Sequence, residues 1–168
     1  MHTFQKVTSD MIDINPFEKI SKDWMLVTAG NEEKANTMTA SWGGLGTMWG
    51  KDVAYVVIRE SRFTKEFIDR EGKFSLSFPS EKYRKHMKFL GTVSGRNENK
   101  IEEAGIDINY HEGVPFIDQG DVIMICRVMS ATQIKPEDFV DKDIDNTWYK
   151  DKDYHTMYIA EVTDILAR

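Results

Sequence analysis

Within six residues the chain sets two arginines and two hydroxyls, Arg59, Ser61, Arg62 and Thr64, where the apolar run Val53–Ile58 gives way to a helical pattern, Phe63 to Asp69. A helix start carries free backbone N–H groups and a partial positive charge. Guanidinium groups and hydroxyls added there make a cradle for a phosphate. A second set precedes it. Thr37-Met38-Thr39-Ala40-Ser41-Trp42-Gly43 alternates short hydroxyls with larger groups. An extended backbone puts Thr37, Thr39 and Ser41 on one face, offering hydroxyls and amides to a polar ring edge. Gly43 and Gly44 would permit close backbone approach to a ligand. The glycine-flanked loop Gly91–Gly95, continued by Arg96, Asn97 and Lys100, adds further donors. Late in the chain His155 enters an alternating segment, Tyr154–Val162, and an imidazole serves as donor or cation near neutral pH. Each set also has a plain structural reading: a glycine bulge, a capped helix with solvated arginines, a loop, a satisfied histidine.

Charge narrows the ligand class. The net charge is −6 over 168 residues, which argues against broad nucleic-acid binding. Residues 1–58 hold 5 Lys+Arg against 7 Asp+Glu, residues 59–100 hold 11 against 6, and residues 101–168 hold 6 against 15. An acidic chain with one basic stretch at the proposed phosphate site suits a small anion better than a polyanion. The single cysteine, Cys126, lies in the apolar run Val122–Cys126; it excludes a disulfide framework within one chain and reads as a core thiol. No HExxH, CxxC or nucleophile-elbow pattern occurs, so neither a zinc nor a serine hydrolase is supported. His2, His86 and His111 have no partner pattern and read as surface residues. No signal peptide is visible, and no apolar run nears the roughly 20 residues of a membrane helix. A soluble, cytoplasmic protein without membrane or nucleic-acid partners is expected.

These residues need a frame. The length suits one domain, residues 1–168. Asn15-Pro16-Phe17-Glu18 signals a short helix ending near Lys22. Asp23–Ala29 reads as a strand and Gly30–Lys34 as a hairpin turn. Asn36–Trp49 is extended, interrupted at Gly43, Gly44 and Gly46. Gly50-Lys51-Asp52 turns into the strand Val53–Arg59, and Ser61 is placed to cap a helix to about Arg70. Lys73–Phe78 alternates as a half-buried strand. A helix from Pro79-Ser80 runs through Tyr83, Met87 and Leu90, and a short one covers Lys100–Ala104, ending at Gly105. Asp121–Ile134 and Tyr154–Leu166 are long strands flanking an acidic segment, Pro136–Asp153, with Trp148 and Tyr149. Many strands with a few short helices predict a mainly β barrel, not a doubly wound sheet.

Taken in order, Asn36–Trp42, the strand to Arg59 with Ser61-Arg62-Phe63-Thr64, Ser94-Gly95-Arg96 with Lys100, and His155 with Glu161-Val162 resemble the flavin reductase-like FMN-binding proteins, from about Pro16 to Val162. The resemblance implies a split β-barrel of Greek-key type, a homodimer and bound FMN. It implies that Thr37, Thr39, Ala40, Ser41 and Trp42 lie along the flavin ring, that Arg59, Ser61, Arg62 and Thr64 lie near the phosphate, and that Ser94, Gly95 and Lys100 complete the pocket. His155 takes the catalytic place, at the nicotinamide. The family often has Gly-Asp before that histidine and Gly-Glu-Val after it; this chain has Asp153-Tyr154 and Ala160. The implied activity is an NAD(P)H-dependent flavin reductase. The alternatives are an electron-transfer flavoprotein with tightly held FMN and a non-catalytic flavin-binding protein. Four Trp, six Tyr, nine Phe and nine Met add to the case for a buried subunit interface.

Overall fold

Apolar alternation builds ten strands in a computed structural model that describes residues 1–168. They are β1 (Gln5–Val7), β2 (Met25–Gly30), β3 (Ala35–Ala40), β4 (Gly43–Met48), β5 (Lys51–Arg59), β6 (Lys73–Pro79), β7 (Ile108–His111), β8 (Val114–Ile117), β9 (Gly120–Gln133) and β10 (His155–Ala167). Eight form one antiparallel sheet in the order β3-β2-β6-β9-β10-β5-β4, with β1 also on β10. After the hairpins β2–β3 and β4–β5 the chain returns to lay β6 beside β2, a Greek-key step.

The ends of that path decide the shape. β3 and β4 are consecutive in the chain and joined only by Ser41 and Trp42. Three Cα–Cα steps span at most about 11 Å. The end of β3 and the start of β4 therefore lie together, and the sheet rolls into a barrel left unpaired at that seam. Phe74, Phe78, Ile58, Leu76 and Tyr158 are fully buried in its interior.

Five helices decorate the barrel: α1 (Pro16–Ser21), α2 (Phe63–Glu71), α3 (Arg84–Thr92), α4 (Lys100–Glu103) and α5 (Asp143–Trp148). Asn15 caps α1 as expected, its side chain accepting from Phe17 N–H at 3.1 Å. α2 links β5 to β6 and packs on β2 and β3, and α3 packs on β3. No helix is long and apolar enough to cross a membrane.

Local expectations differ in four places. The extended segment breaks at Ser41-Trp42, not at a glycine; Gly43, Gly44 and Gly46 all lie within β4. The following turn is Trp49-Gly50, both at positive φ (53° and 70°), the mirror-image turn that suits a two-residue hairpin. Arg62, not Ser61, occupies the N-cap of α2, and no side chain caps that helix. β6 is buried on both faces, because the β7–β8 hairpin covers the face that carries Ser75 and Ser77. Ser75 Oγ donates to Pro115 O at 2.7 Å, and Ser77 Oγ accepts from Ile117 N–H at 3.1 Å.

Candidate functional site

The seam opens into a cavity of about 330 Å³ lined by Thr39, Ala40, Ser41, Trp42, Arg59, Arg62, Trp148 and His155, with Met38 and Val57. A second, of about 260 Å³, shares Thr39–Ser41 as a wall and extends to Lys88, Gly91 and Thr92. The barrel architecture positions both. Because β3 and β4 do not pair, the backbone N–H groups of Ser41 and Trp42 donate to nothing in the protein. Free donors on a half-exposed segment are what a ligand with ring acceptors requires.

The hydroxyls expected on this face are mostly spent inward. Thr37 is fully buried; its Oγ1 lies 2.9 Å from Thr28 Oγ1 and donates to Val27 O at 3.2 Å. Thr39 Oγ1 donates to Met87 O on α3. Ser41 alone leaves a side-chain hydroxyl toward the cavity. Gly44 serves β5: a Cβ there would meet the Tyr55 ring at 2.3 Å.

The four residues of the proposed phosphate cradle divide. Arg62 lines the cavity and gives one N–H to Gly91 O at 3.2 Å, leaving its other donors free. The first turn of α2 behind it keeps the Phe63 and Thr64 N–H groups unpaired. Arg59 is occupied: it donates to Asp153 O at 2.7 Å and Trp148 O at 3.0 Å, and its Nη1 is 3.4 Å from the Asp151 carboxylate. Ser61 N–H donates to Asp153 Oδ1 at 3.1 Å, and its hydroxyl donates to Oδ2. Thr64 is buried, accepting from Asn36 Nδ2 at 2.8 Å. Arg59 and Ser61 thus pin residues 148–153 over the mouth, and Thr64 anchors α2 to β3. Asp153 carried no sequence signal for that role; it lies 92 residues from Ser61 in the chain and meets it only through the fold.

Gly95 and Lys100 face a neighbouring cleft of about 910 Å³ bounded also by Asn36 and Phe63. Its walls mix Glu32, Glu33, Lys34, Arg96 and Glu98, so it presents no single charge to a ligand. Gly95 lies so close to Asn36 that a Cβ would meet Oδ1 at 2.0 Å. Lys100 is buried, donating to Leu90 O at 2.8 Å and Val93 O at 3.0 Å, where it caps the end of α3. Burial, then the Arg62 charge, pushes its pKa down to about 8. Ser94 is exposed, its Oγ accepting from Arg96 N–H at 3.3 Å.

His155 is buried in the cavity wall, its ring 5.1 Å from that of Trp42. Burial and then the Arg59 charge push its pKa down to about 4, with Asp153 opposing. The ring is neutral at pH 7, not the cation its residue type allows. Its Nδ1 lies 2.7 Å from the hydroxyl of buried Tyr149, which fixes ring orientation. Tyr149 stacks between Phe139 and Tyr154 at 5.6 and 4.8 Å, and Trp148 meets Trp42 edge-on at 5.1 Å. The acidic segment is therefore an ordered aromatic wall. Trp148 and Tyr149 within Pro136–Asp153 were the sequence hint of it.

Comparison with known proteins identifies the family and the fold. The family model described as flavin reductase like domain matches residues 17–168. The uncharacterized protein YddH of Escherichia coli K12 is 30% identical over 118 residues, covering 67% of this chain and 62% of that protein; the chain spans about three-fifths of that relative. The crystal structure of flavoredoxin from Methanosarcina acetivorans has a TM-score of 0.68 at 22% identity, covering 94% of this chain and 75% of that one. An FMN-binding domain of a flavin reductases-like enzyme from Shewanella baltica has a TM-score of 0.71 at 20% identity, covering 98% and 77%.

Proposed function

The chain belongs to the flavin reductase-like domain family, and from that premise and the seam cavity we propose that it is an FMN-binding oxidoreductase taking electrons from NADH or NADPH. The observation that carries the reading is the pair of unpaired N–H groups at Ser41 and Trp42 beside free Arg62 donors. The donor set fits the cofactor: amides for the polar ring edge, Trp42 and Trp148 as aromatic walls, and a guanidinium with an uncapped helix start for the phosphate. FMN, once bound, would supply the redox chemistry.

The chain's own residues do the rest. Ser41 and Trp42 amides hold the ring edge and oppose negative charge there. Arg62 and the first turn of α2 hold the phosphate, while Arg59 and Ser61 keep residues 148–153 in place. Neutral His155, oriented by Tyr149, donates a hydrogen bond at the rim and fixes the nicotinamide in position. No side chain need move a proton in the hydride step. The Lys100 amine supports the Arg62 side of the site by holding the end of α3.

We place this activity in a single domain, residues 1–168, in the cytoplasm, where its one buried free cysteine suits a reducing compartment. A homodimer belongs to the same reading: Phe17, Trp42, Met48, Trp49 and Tyr55 are exposed around α1, β4 and β5, an aromatic surface of interface type. Light scattering at micromolar concentration should return twice 19.4 kDa; the monomer mass rejects the dimer.

The deciding experiment is an absorption spectrum after FMN reconstitution, followed by anaerobic mixing with NADH or NADPH. Flavin bands and rapid bleaching are expected; failure to retain FMN at micromolar concentration overturns the reading. One observation favours a second reading, an electron-transfer flavoprotein. The acidic segment around Asp141, Asp143 and Asp151 is exposed beside the mouth and suits a basic redox partner. Bound flavin that NAD(P)H leaves oxidised but a reduced redox protein bleaches would favour it, and flavin that neither bleaches would mark a non-catalytic binder.

A further inference from the structure

At the far end of β10 from His155, on the outside of the barrel, lies a cluster the flavin site does not use. β7 and β8 are joined by Glu112-Gly113, both at positive φ (49° and 76°). Two such residues form the rigid mirror-image hairpin turn, and glutamate is an unusual occupant of its first position. Val114 and Phe116 bury the hairpin against Ile123, Ile125 and Leu166, so the turn is held over β10. There the ladder with β9 skips a residue between Val162 and Asp164, and this bulge re-aims the Asp164 side chain. Asp164 is 7% exposed.

We propose that His111, Glu112 and Asp164 bind one divalent transition-metal ion of zinc-like chemistry, clamping the β7–β8 hairpin to β10. Their ligand atoms all lie within 4.8 Å of one another. His111 Nε2 is 3.8 Å from Asp164 Oδ2, too far for a hydrogen bond. One buried atom here, His111 Nε2, has no hydrogen-bond partner, while Asp164 Oδ1 is held by the Lys6 ammonium. A buried, unpartnered imidazole nitrogen facing a carboxylate is the mark of a group meant for another partner. The cluster already attracts a cation: the ammonium of 67%-exposed Lys6 pairs with Asp164. That ammonium is the cation a metal ion would have to displace. One imidazole and two carboxylates are donors that zinc accepts, with a water completing four; the imidazole argues against magnesium or calcium. Glu112 is exposed and free to close on the ion, and Lys6 is free to leave.

The test is calorimetric titration of Zn²⁺ into the chelator-treated full chain, with any flavin left bound. One zinc per chain is expected, and the melting temperature should rise with zinc. Glu112→Gln, at an exposed turn, and His111→Ala should each weaken binding at least about tenfold, some 1.4 kcal/mol. Lys6→Met, which removes the competing ammonium, should tighten it. His2→Gln should change nothing, since His2 is already paired with Asp118 at 2.7 Å. Absence of stoichiometric uptake by both the native chain and Lys6→Met overturns the proposal. So does uptake that survives His111→Ala, or that is lost with His2→Gln instead.

Discussion

Replacing Arg62 by alanine separates phosphate recognition from ring recognition. Arg62 lines the cavity and spends one N–H on Gly91 O at 3.2 Å, so four of its five donors remain. A charge-assisted hydrogen bond is worth about 1.5–3 kcal/mol, and an exposed guanidinium belongs at the lower end because water screens it. A loss of about 1.5–2 kcal/mol is a roughly ten- to thirtyfold rise in Kd for FMN. The fold should survive, since the bond to Gly91 O is a surface one worth about 0.5–1 kcal/mol. Titration followed by flavin fluorescence, with FMN and with riboflavin, reads the difference. Riboflavin has no phosphate and should lose little. The gap between the two flavins should shrink at high salt, as exposed charge pairs are screened. Equal losses for both flavins, or no loss for FMN, would refute the placement of the phosphate at Arg62.

Four further outcomes follow from the structure. His155→Asn should slow anaerobic reduction by NAD(P)H about tenfold, some 1.4 kcal/mol of positioning, with the FMN Kd nearly unchanged; native-like reduction rates would make His155 structural. Because the folded pKa of His155 lies near 4, below 6.5, the unfolded chain binds more protons between those values, and stability falls as pH drops through them; urea midpoints of His155→Asn should lack that part of the slope. Lys100 is the converse case. Its pKa falls from 10.5 to about 8, so the native chain should gain stability relative to Lys100→Met as pH rises from 8 toward 10.5, by up to roughly 3 kcal/mol, and parallel pH curves would refute its buried, depressed state. Gly95→Ala puts a methyl 2.0 Å from Asn36 Oδ1 and should break the 2.8 Å bond from Asn36 to Thr64. A loss of about 1–3 kcal/mol is expected, while Gly46→Ala, with nothing within 4 Å of the added carbon, should be neutral by thermal melting.

Periodicity carried most of the sheet. The runs at Val53–Arg59, Asp121–Ile134 and Tyr154–Leu166 are β5, β9 and β10 to within a few residues, because alternation over long stretches has one extended solution. The β7–β8 hairpin escaped notice. Its signal is short, and its turn residues, Glu112-Gly113, are not the usual Asn-Gly or Asp-Gly. That omission made β6 look half-buried and His111 look like a surface residue. The cavity segment Thr39–Trp42 was legible as a functional stretch, but the reason was not. The sequence showed hydroxyls, whereas the fold spends those of Thr37 and Thr39 on Val27 O and Met87 O and frees backbone amides at a seam that only the strand order creates. Arg59 and Arg62 are three residues apart and alike in type. Which one faces the cavity unencumbered depends on Trp148 and Asp153, about 90 residues away.

The position of β10 has a consequence for how the chain is made. It is the last strand in sequence, yet it sits between β9 and β5 and also pairs with β1. Until His155–Ala167 is available, the sheet exists as two pieces, β3-β2-β6-β9 and β5-β4, with long unpaired edges on β9 and β5. Such edges invite pairing with other chains. Barrel closure therefore waits on His155–Ala167, long after β4 and β5 have been made. A nascent or prematurely stopped chain lacking β10 should be a client for chaperones, not a smaller version of the native barrel.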